Sequence, residues 1–192
     1  MVSFTKVQGH YHAHKLTLAG VDEDAFTRSL TSARVEMNPH QVDAALFALR
    51  SPLSKGVILA DEVGLGKTIE AGLVISQRWA EHRRRIVLIV PASLRKQWQQ
   101  ELFDKFSLRS TIIEAATYNA MRKEGHRRPF EAAEGVVIIS YEFAARKAVE
   151  LELVKWDLVI FDEAHRLRNV YKKGGSQRAN PRRSIRWHPR SL

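Results

Sequence analysis

From residue 38 onward the chain alternates between short, almost wholly apolar runs and longer stretches in which apolar residues return every third or fourth position. Residues 57–60, 86–90, 111–114, 136–140 and 158–161 are of the first kind, and their length and aliphatic content predict buried strands. The second kind predicts helices. Residues 39–50 put Val42, Ala45, Leu46 and Leu49 on one face, with Asn38 as N-cap and Pro39 at the first helical position. Residues 67–81 carry a stripe of Ala71, Ile75 and Trp79, while 93–106 repeat Leu94, Trp98, Leu102 and Phe106 at every fourth position. Shorter helical crossovers are expected at 118–123 and 142–149, and 124–129 reads as a polar, basic loop.

Five strands alternating with helices predict an α/β fold, a doubly wound and mostly parallel sheet. Three parts are expected: a leader over 1–37, a lobe over 38–171 and a basic tail over 172–192. The leader offers a short helical stretch at 24–32 and an alternation around His10, His12 and His14. On a strand those histidines would share a face and could hold a divalent metal, but solvated histidines are the commoner outcome of such a pattern. The tail has no apolar period and reads as disordered.

Composition narrows the classes. At 192 residues the chain suits one α/β domain with a real core. The absence of cysteine removes disulfides, thiolate metal clusters and thiol catalysis, and fits a reducing compartment. The longest apolar run, 86–92, is too short for a bilayer, and the first fifteen residues lack the form of a signal peptide. A cytoplasmic protein with no membrane partner is expected. The net charge of +10 is unevenly spread, since residues 172–192 carry seven basic residues and no acid. The remainder is only mildly basic, which is compatible with binding a phosphate backbone without arguing for it.

Chemistry enters through two short motifs. Gly64-Leu65-Gly66-Lys67-Thr68 joins the predicted strand 57–60 to the helix 67–81. The glycines let the backbone bring several N–H groups to phosphate, the helix start adds its positive end, Lys67 can reach the β- and γ-phosphates, and the Thr68 hydroxyl can ligate magnesium. The generic pattern has glycine or alanine where this chain has Asp61, so a plain glycine turn is the competing account. Asp162-Glu163-Ala164-His165 ends the apolar run 158–161. Asp162 there can hold magnesium and Glu163 can orient or deprotonate a water that attacks the γ-phosphate. Taken alone, the second motif could equally be a polar strand end. Together the two read as a site for ATP and magnesium.

The stretches Ala60-Asp61-Glu62-Val63-Gly64-Leu65-Gly66-Lys67-Thr68-Ile69-Glu70-Ala71-Gly72, Val90-Pro91-Ala92-Ser93-Leu94 and Asp162-Glu163-Ala164-His165-Arg166-Leu167-Arg168-Asn169 carry a family resemblance. Over about residues 35–173 the chain resembles the SWI/SNF-type branch of superfamily-two helicase-like ATPases, most of all bacterial members related to the RNA-polymerase-associated ATPase. The resemblance implies a RecA-like P-loop lobe and accommodates Asp61. It implies adenine recognition by Gln41 within Asn38-Pro39-His40-Gln41, although Gln41 also stands where it would close a capping box on Asn38. It implies catalytic roles for Lys67, Asp162 and Glu163, and coupling of the ATP site to nucleic acid through His165.

Pro91, Ser93, Leu94, Gln97 and Trp98 resemble the family's backbone-contacting motif, with Leu94 and Trp98 expected in the core and Ser93, Arg95, Lys96 and Gln97 as the contact candidates. Tyr141, in Ser140-Tyr141-Glu142, is a further nucleic-acid candidate or else a buried aromatic. The implied partner is nucleic acid, double-stranded DNA bound through its backbone, with RNA polymerase as a candidate protein partner. After Tyr171 the family's next motifs give way to the basic tail. The expectation is therefore a truncated first lobe of an ATP-dependent translocase or remodeller, with an out-of-frame end and little turnover of its own. The alternative is a catalytically dead module that holds nucleotide or a partner.

Overall fold

The computed structural model describes residues 38–50 and 66–164. They form two compact units, the first comprising the described residues up to His82 with 105–107, the second 83–104 with 108–164. The predicted strand 57–60, Gly64, Leu65, His165, the leader with its three histidines and the tail lie outside the described residues.

In the first unit, α1 (Pro39–Arg50) packs on α2 (Lys67–Ala80). Val42 and Ala45 of α1 are buried, as are Ala71, Leu73, Val74 and Ile75 of α2. The predicted stripe is thus wider than Ala71 and Ile75, and Trp79 is only half-buried. Gly72 is where α2 receives the Phe106 ring: a Cβ there would lie 2.2 Å from Phe106 Cε2, so a side chain at this position would have to displace an aromatic.

The second unit is built on a four-stranded, all-parallel sheet of order β2-β3-β1-β4, with β1 Ile86–Val90, β2 Ser110–Ile112, β3 Val136–Ser140 and β4 Leu158–Phe161. The parallel α/β expectation is met among the described residues. Every residue of β1 and β3 is buried, the central position that a strand without polar alternation demands. Val87, Ile89, Val137 and Ile139 turn one face toward Tyr118, Phe130, Phe143 and Leu151. Ile86, Leu88 and Ile138, alternating with them, are buried as well.

Between the strands run a 3-10 turn (Ala92–Leu94) leading into α3 (Arg95–Phe106), then α4 (Ala115–Lys123), α5 (Pro129–Ala132), α6 (Tyr141–Arg146) and α7 (Ala148–Glu152). Two details depart from the sequence expectation. The end of the basic loop folds into α5, because Pro129 is preset for a first helical position and Phe130 inserts beside Tyr118 and Phe143, with ring centroids 5.6 and 6.3 Å away. The helix expected over 142–149 is broken at Lys147 into α6 and α7.

A cluster of side chains gathers at that break. Lys147 Nζ donates to Glu150 Oε1 at 2.7 Å and lies 4.0 Å from the Tyr118 ring centroid, and the Tyr118 hydroxyl donates to Glu150 Oε2. Burial pushes the Glu150 carboxyl up, but hydrogen bonds from Lys147 and Tyr118, with the charges of Lys147 and Arg122, outweigh it and hold the group below its ordinary value. Burial, then the hydrogen bond and charge of Glu150, raise the Tyr118 hydroxyl. Burial draws the Lys147 ammonium down, and Glu150 more than offsets it, so that pKa is raised.

The signs fix a pH dependence. A depressed carboxyl stabilises the fold above its unfolded pKa of about 4.3, and the contribution is lost as pH falls through the folded value. The raised Tyr118 and Lys147 stabilise below about pH 10, and that contribution is lost as pH rises through their folded values. Wild type should therefore exceed Glu150→Gln in melting temperature at neutral pH, with the gap narrowing as pH falls below the unfolded value of about 4.3. Thermal melts of both across pH 3–7 check this, and a gap that does not narrow at all toward pH 3 would contradict it.

Candidate nucleotide site

In the first unit, the candidate phosphate residues lie at the start of α2. Gly66 is its N-cap and adopts the left-handed region, φ 88 and ψ 35, where a β-carbon is strained. Its carbonyl accepts from the N–H groups of Ile69 at 2.7 Å and Glu70 at 3.3 Å, so the helix begins at once, without a side-chain cap. Lys67 is exposed and Thr68 half-buried at the first two helical positions. A Cβ on Gly66 would lie 2.3 Å from Gln41 Nε2, which shows how closely the Gln41 amide approaches this turn. Gln41 is 3% exposed, and its Oε1 accepts from the Asn38 N–H at 3.0 Å. The local capping role weighed for Gln41 is thus formed, while its nitrogen stands against Gly66.

Sequence reasoning passed over Glu70, which is fully buried in the first turn of α2. A glutamate at this point reads from sequence as a favourable charge for the helix start, and nothing in the spacing announces burial.

In the second unit, a separate group of candidates lies at the carboxyl ends of three adjacent strands. Register places Val90 beside Ser140 and Ile89 beside Phe161, so the segments after β1, β3 and β4 emerge together. Ligands of open parallel sheets bind at such edges. Asp162 extends the β4 pairing, its N–H donating to the Ile89 carbonyl at 3.0 Å. Asp162 Oδ2 accepts from the Trp98 indole Nε1 at 2.8 Å, Oδ1 accepts from the Glu163 N–H at 2.8 Å, and the Asp162 carbonyl accepts from the Tyr141 hydroxyl at 2.7 Å. Glu163 has φ 57, a costly conformation for a residue with a side chain, and is exposed.

Each carboxylate oxygen of Asp162 takes one of these donors, which leaves acceptor capacity on both for a hard cation. Among the described residues no group of three His, Asp or Glu side chains could hold a metal. Magnesium suits such a site, because it is bound through one or two protein oxygens together with substrate phosphates and water.

Two nucleic-acid candidates change. Tyr141 is 1% exposed, stacked on Phe161 with centroids 6.3 Å apart and bonded to the Asp162 carbonyl, so its ring is not placed to meet a strand. Of the two expectations for Tyr141, the structure matches the buried aromatic and not the nucleic-acid contact. Arg95 is half-buried, with Nη1 on Glu114 Oε2 at 3.0 Å and Nε on the Ala92 carbonyl at 3.1 Å, so its guanidinium is engaged within the protein. Ser93, Lys96 and Gln97 are exposed around the first turn of α3, Gln97 donating to Glu101 at 2.9 Å. Trp98, expected only as core, is 5% exposed and reaches Asp162. The indole donor was the available signal, since a buried tryptophan N–H needs an acceptor.

A family model described as the SNF2-related domain matches residues 22–180. The chain belongs to the SNF2-related domain family. Among curated proteins it is similar to the RNA polymerase-associated protein RapA of Yersinia enterocolitica, 39% identical over 142 residues, which are 72% of this chain and 14% of that protein. Among solved structures it is similar to the Sulfolobus solfataricus SWI2/SNF2 ATPase core in complex with dsDNA, with a TM-score of 0.61 and 24% identity over 73% of this chain and 29% of that one. The likeness to that solved structure is one of fold. The SNF2-related match spans both described units and all the strand ends just described.

Proposed function

We propose that this chain is the ATP-binding lobe of an ATP-dependent nucleic-acid translocase or remodeller. The observation that carries this reading is Asp162, held by three side-chain or main-chain donors at the carboxyl end of β4 and followed by a left-handed Glu163. Membership of the SNF2-related domain family supports the activity. The lobe is proposed to run over 38–171, with 1–37 and 172–192 flanking it.

In this reading Gly64, Leu65 and Gly66 wrap the phosphates, and the α2 start and Lys67 neutralise their charge. Gln41 is proposed to meet the adenine edge through its amide nitrogen, its oxygen being taken by Asn38. Thr68 and Asp162 would hold magnesium, which when bound neutralises the phosphate oxygens. Glu163 is proposed to orient water and accept its proton. His165 is proposed to couple the nucleotide to the strand.

The described relative is RNA polymerase-associated and the solved neighbour is in complex with double-stranded DNA, which supports duplex DNA, and RNA polymerase, as partners of this chain. Contact would be made by Ser93, Lys96 and Gln97, through backbone phosphates and without reading bases. Among the described residues no helix is long and apolar enough to cross a membrane.

The test is the salt dependence of binding to a fluorescent duplex. Log affinity should fall linearly with log salt, and Lys96→Ala should lower the slope by about 1 in a chain lacking residues 172–192 as well as in the full chain. Binding that vanishes with residues 172–192 would locate it in the basic segment and remove the α3 surface from the account.

A further inference from the structure

We infer that Trp98 is a positioning residue for the magnesium-holding carboxylate of Asp162, acting through its indole N–H, with Tyr141 fixing the same residue through its main chain. The inference rests on the proposed magnesium–ATP reading and adds to it the group that sets the orientation of the carboxylate.

Three observations converge. Trp98 Nε1 and Asp162 Oδ2 are 2.8 Å apart, and the two residues are far separated in sequence, so the bond ties α3 to the end of β4. The indole is nearly buried, and such a donor holds a fixed direction because the surrounding packing fixes the ring. The Tyr141 hydroxyl grips the Asp162 carbonyl at 2.7 Å while its ring stacks on Phe161, so the backbone from which the carboxylate projects is also held.

The carboxylate itself has a single soft torsion left between Cβ and the oxygens. With Oδ2 on the indole and Oδ1 on the Glu163 N–H, that torsion is set by one donor on each oxygen. Partners of this kind orient ligands of a metal, and their removal typically costs about 10- to 100-fold in metal affinity or activity. A tryptophan that only filled the core would be replaced by phenylalanine with loss of packing and no effect specific to magnesium. A positioning tryptophan loses its donor in the same change.

The experiment titrates the full 192-residue chain with ATP in magnesium and again in EDTA, for wild type and Trp98→Phe. Wild type should gain affinity on adding magnesium, and in Trp98→Phe that gain should shrink by about 10-fold or more while affinity in EDTA is kept. An undiminished gain in Trp98→Phe overturns the inference and leaves the phosphate site standing. A wild type with no magnesium-dependent gain defeats the nucleotide reading itself, and the inference with it.

If Trp98→Phe does not fold, the indole N–H resonance of Trp98 in the wild-type chain decides instead. It is assigned by replacing Trp79, Trp156 and Trp187 in turn. Adding magnesium to the ATP-bound chain should move that resonance, and Asp162→Ala should raise its hydrogen exchange. A resonance indifferent to both changes overturns the inference.

Discussion

Gly135→Ala should lower the unfolding free energy by about 3 kcal/mol while leaving nucleotide affinity of the folded protein intact. Gly135 has φ 77, and a Cβ there would lie 2.2 Å from the Arg109 carbonyl oxygen, 2.6 Å from its carbon and 3.1 Å from the Ser110 nitrogen. All three are backbone atoms, so no side chain can swing aside to make room. The same Arg109 carbonyl accepts the Val136 N–H at 3.0 Å and begins the pairing of β2 with β3. Relief of the clash therefore means disturbing that pairing, and the left-handed backbone adds about 1–3 kcal/mol of its own. Urea denaturation of both proteins gives the difference. A loss under about 0.5 kcal/mol, the range of an ordinary surface change, would show that the loop before β3 can rearrange freely.

The contrast matters for function because Gly135 precedes β3, whereas the site gathers at the strands' carboxyl ends. A variant that destabilises the sheet without altering binding separates fold from chemistry. It also calibrates how far a change at the site, such as Trp98→Phe, acts through stability alone.

Legibility in the sequence followed the periodicity. β1 and β3 were plain because successive buried positions leave an apolar run of five residues in β1 and four, before Ser140, in β3, and α1 and α2 because their apolar residues recur on one face. The short α5 was hidden, since one buried Phe130 with a preceding proline makes no period. The break at Lys147 was hidden too, because no glycine or proline marks it, and its contact with Tyr118 from α4 is one that local spacing cannot supply. β2 was expected one residue late and too long, and Ile113, just beyond its end, still donates to the Ile138 carbonyl.

Asp162 and Glu163 stand out in the sequence as candidates by their place after an apolar run, and the structure shows what holds Asp162. Neither Trp98 nor Tyr141 could be assigned to it from spacing. Trp98 falls on the core stripe of α3 and Tyr141 opens α6, and only the sheet order, which sets β1 between β3 and β4, brings both to the same aspartate. Arg95 illustrates the converse. A basic residue at the start of a helix looked available for phosphate, until Glu114 from beyond β2 was found to hold it.

The central claim is that Lys67 and the turn at Gly66 receive the phosphates of magnesium–ATP, and one comparison of thermal melts tests it most directly. At about one hundred times its dissociation constant, a ligand stabilises the folded state by about 2.7 kcal/mol, an upward shift of about 5–10 °C for a protein of this size. Lys67 is exposed on the first turn of α2, so alanine there removes the cation without opening a cavity, and melting without ligand should scarcely change. Wild type with magnesium–ATP should show the full shift and Lys67→Ala little or none of it at the same concentration. Equal shifts in the two proteins would mean that ATP, if it binds, is held elsewhere, and would contradict the account.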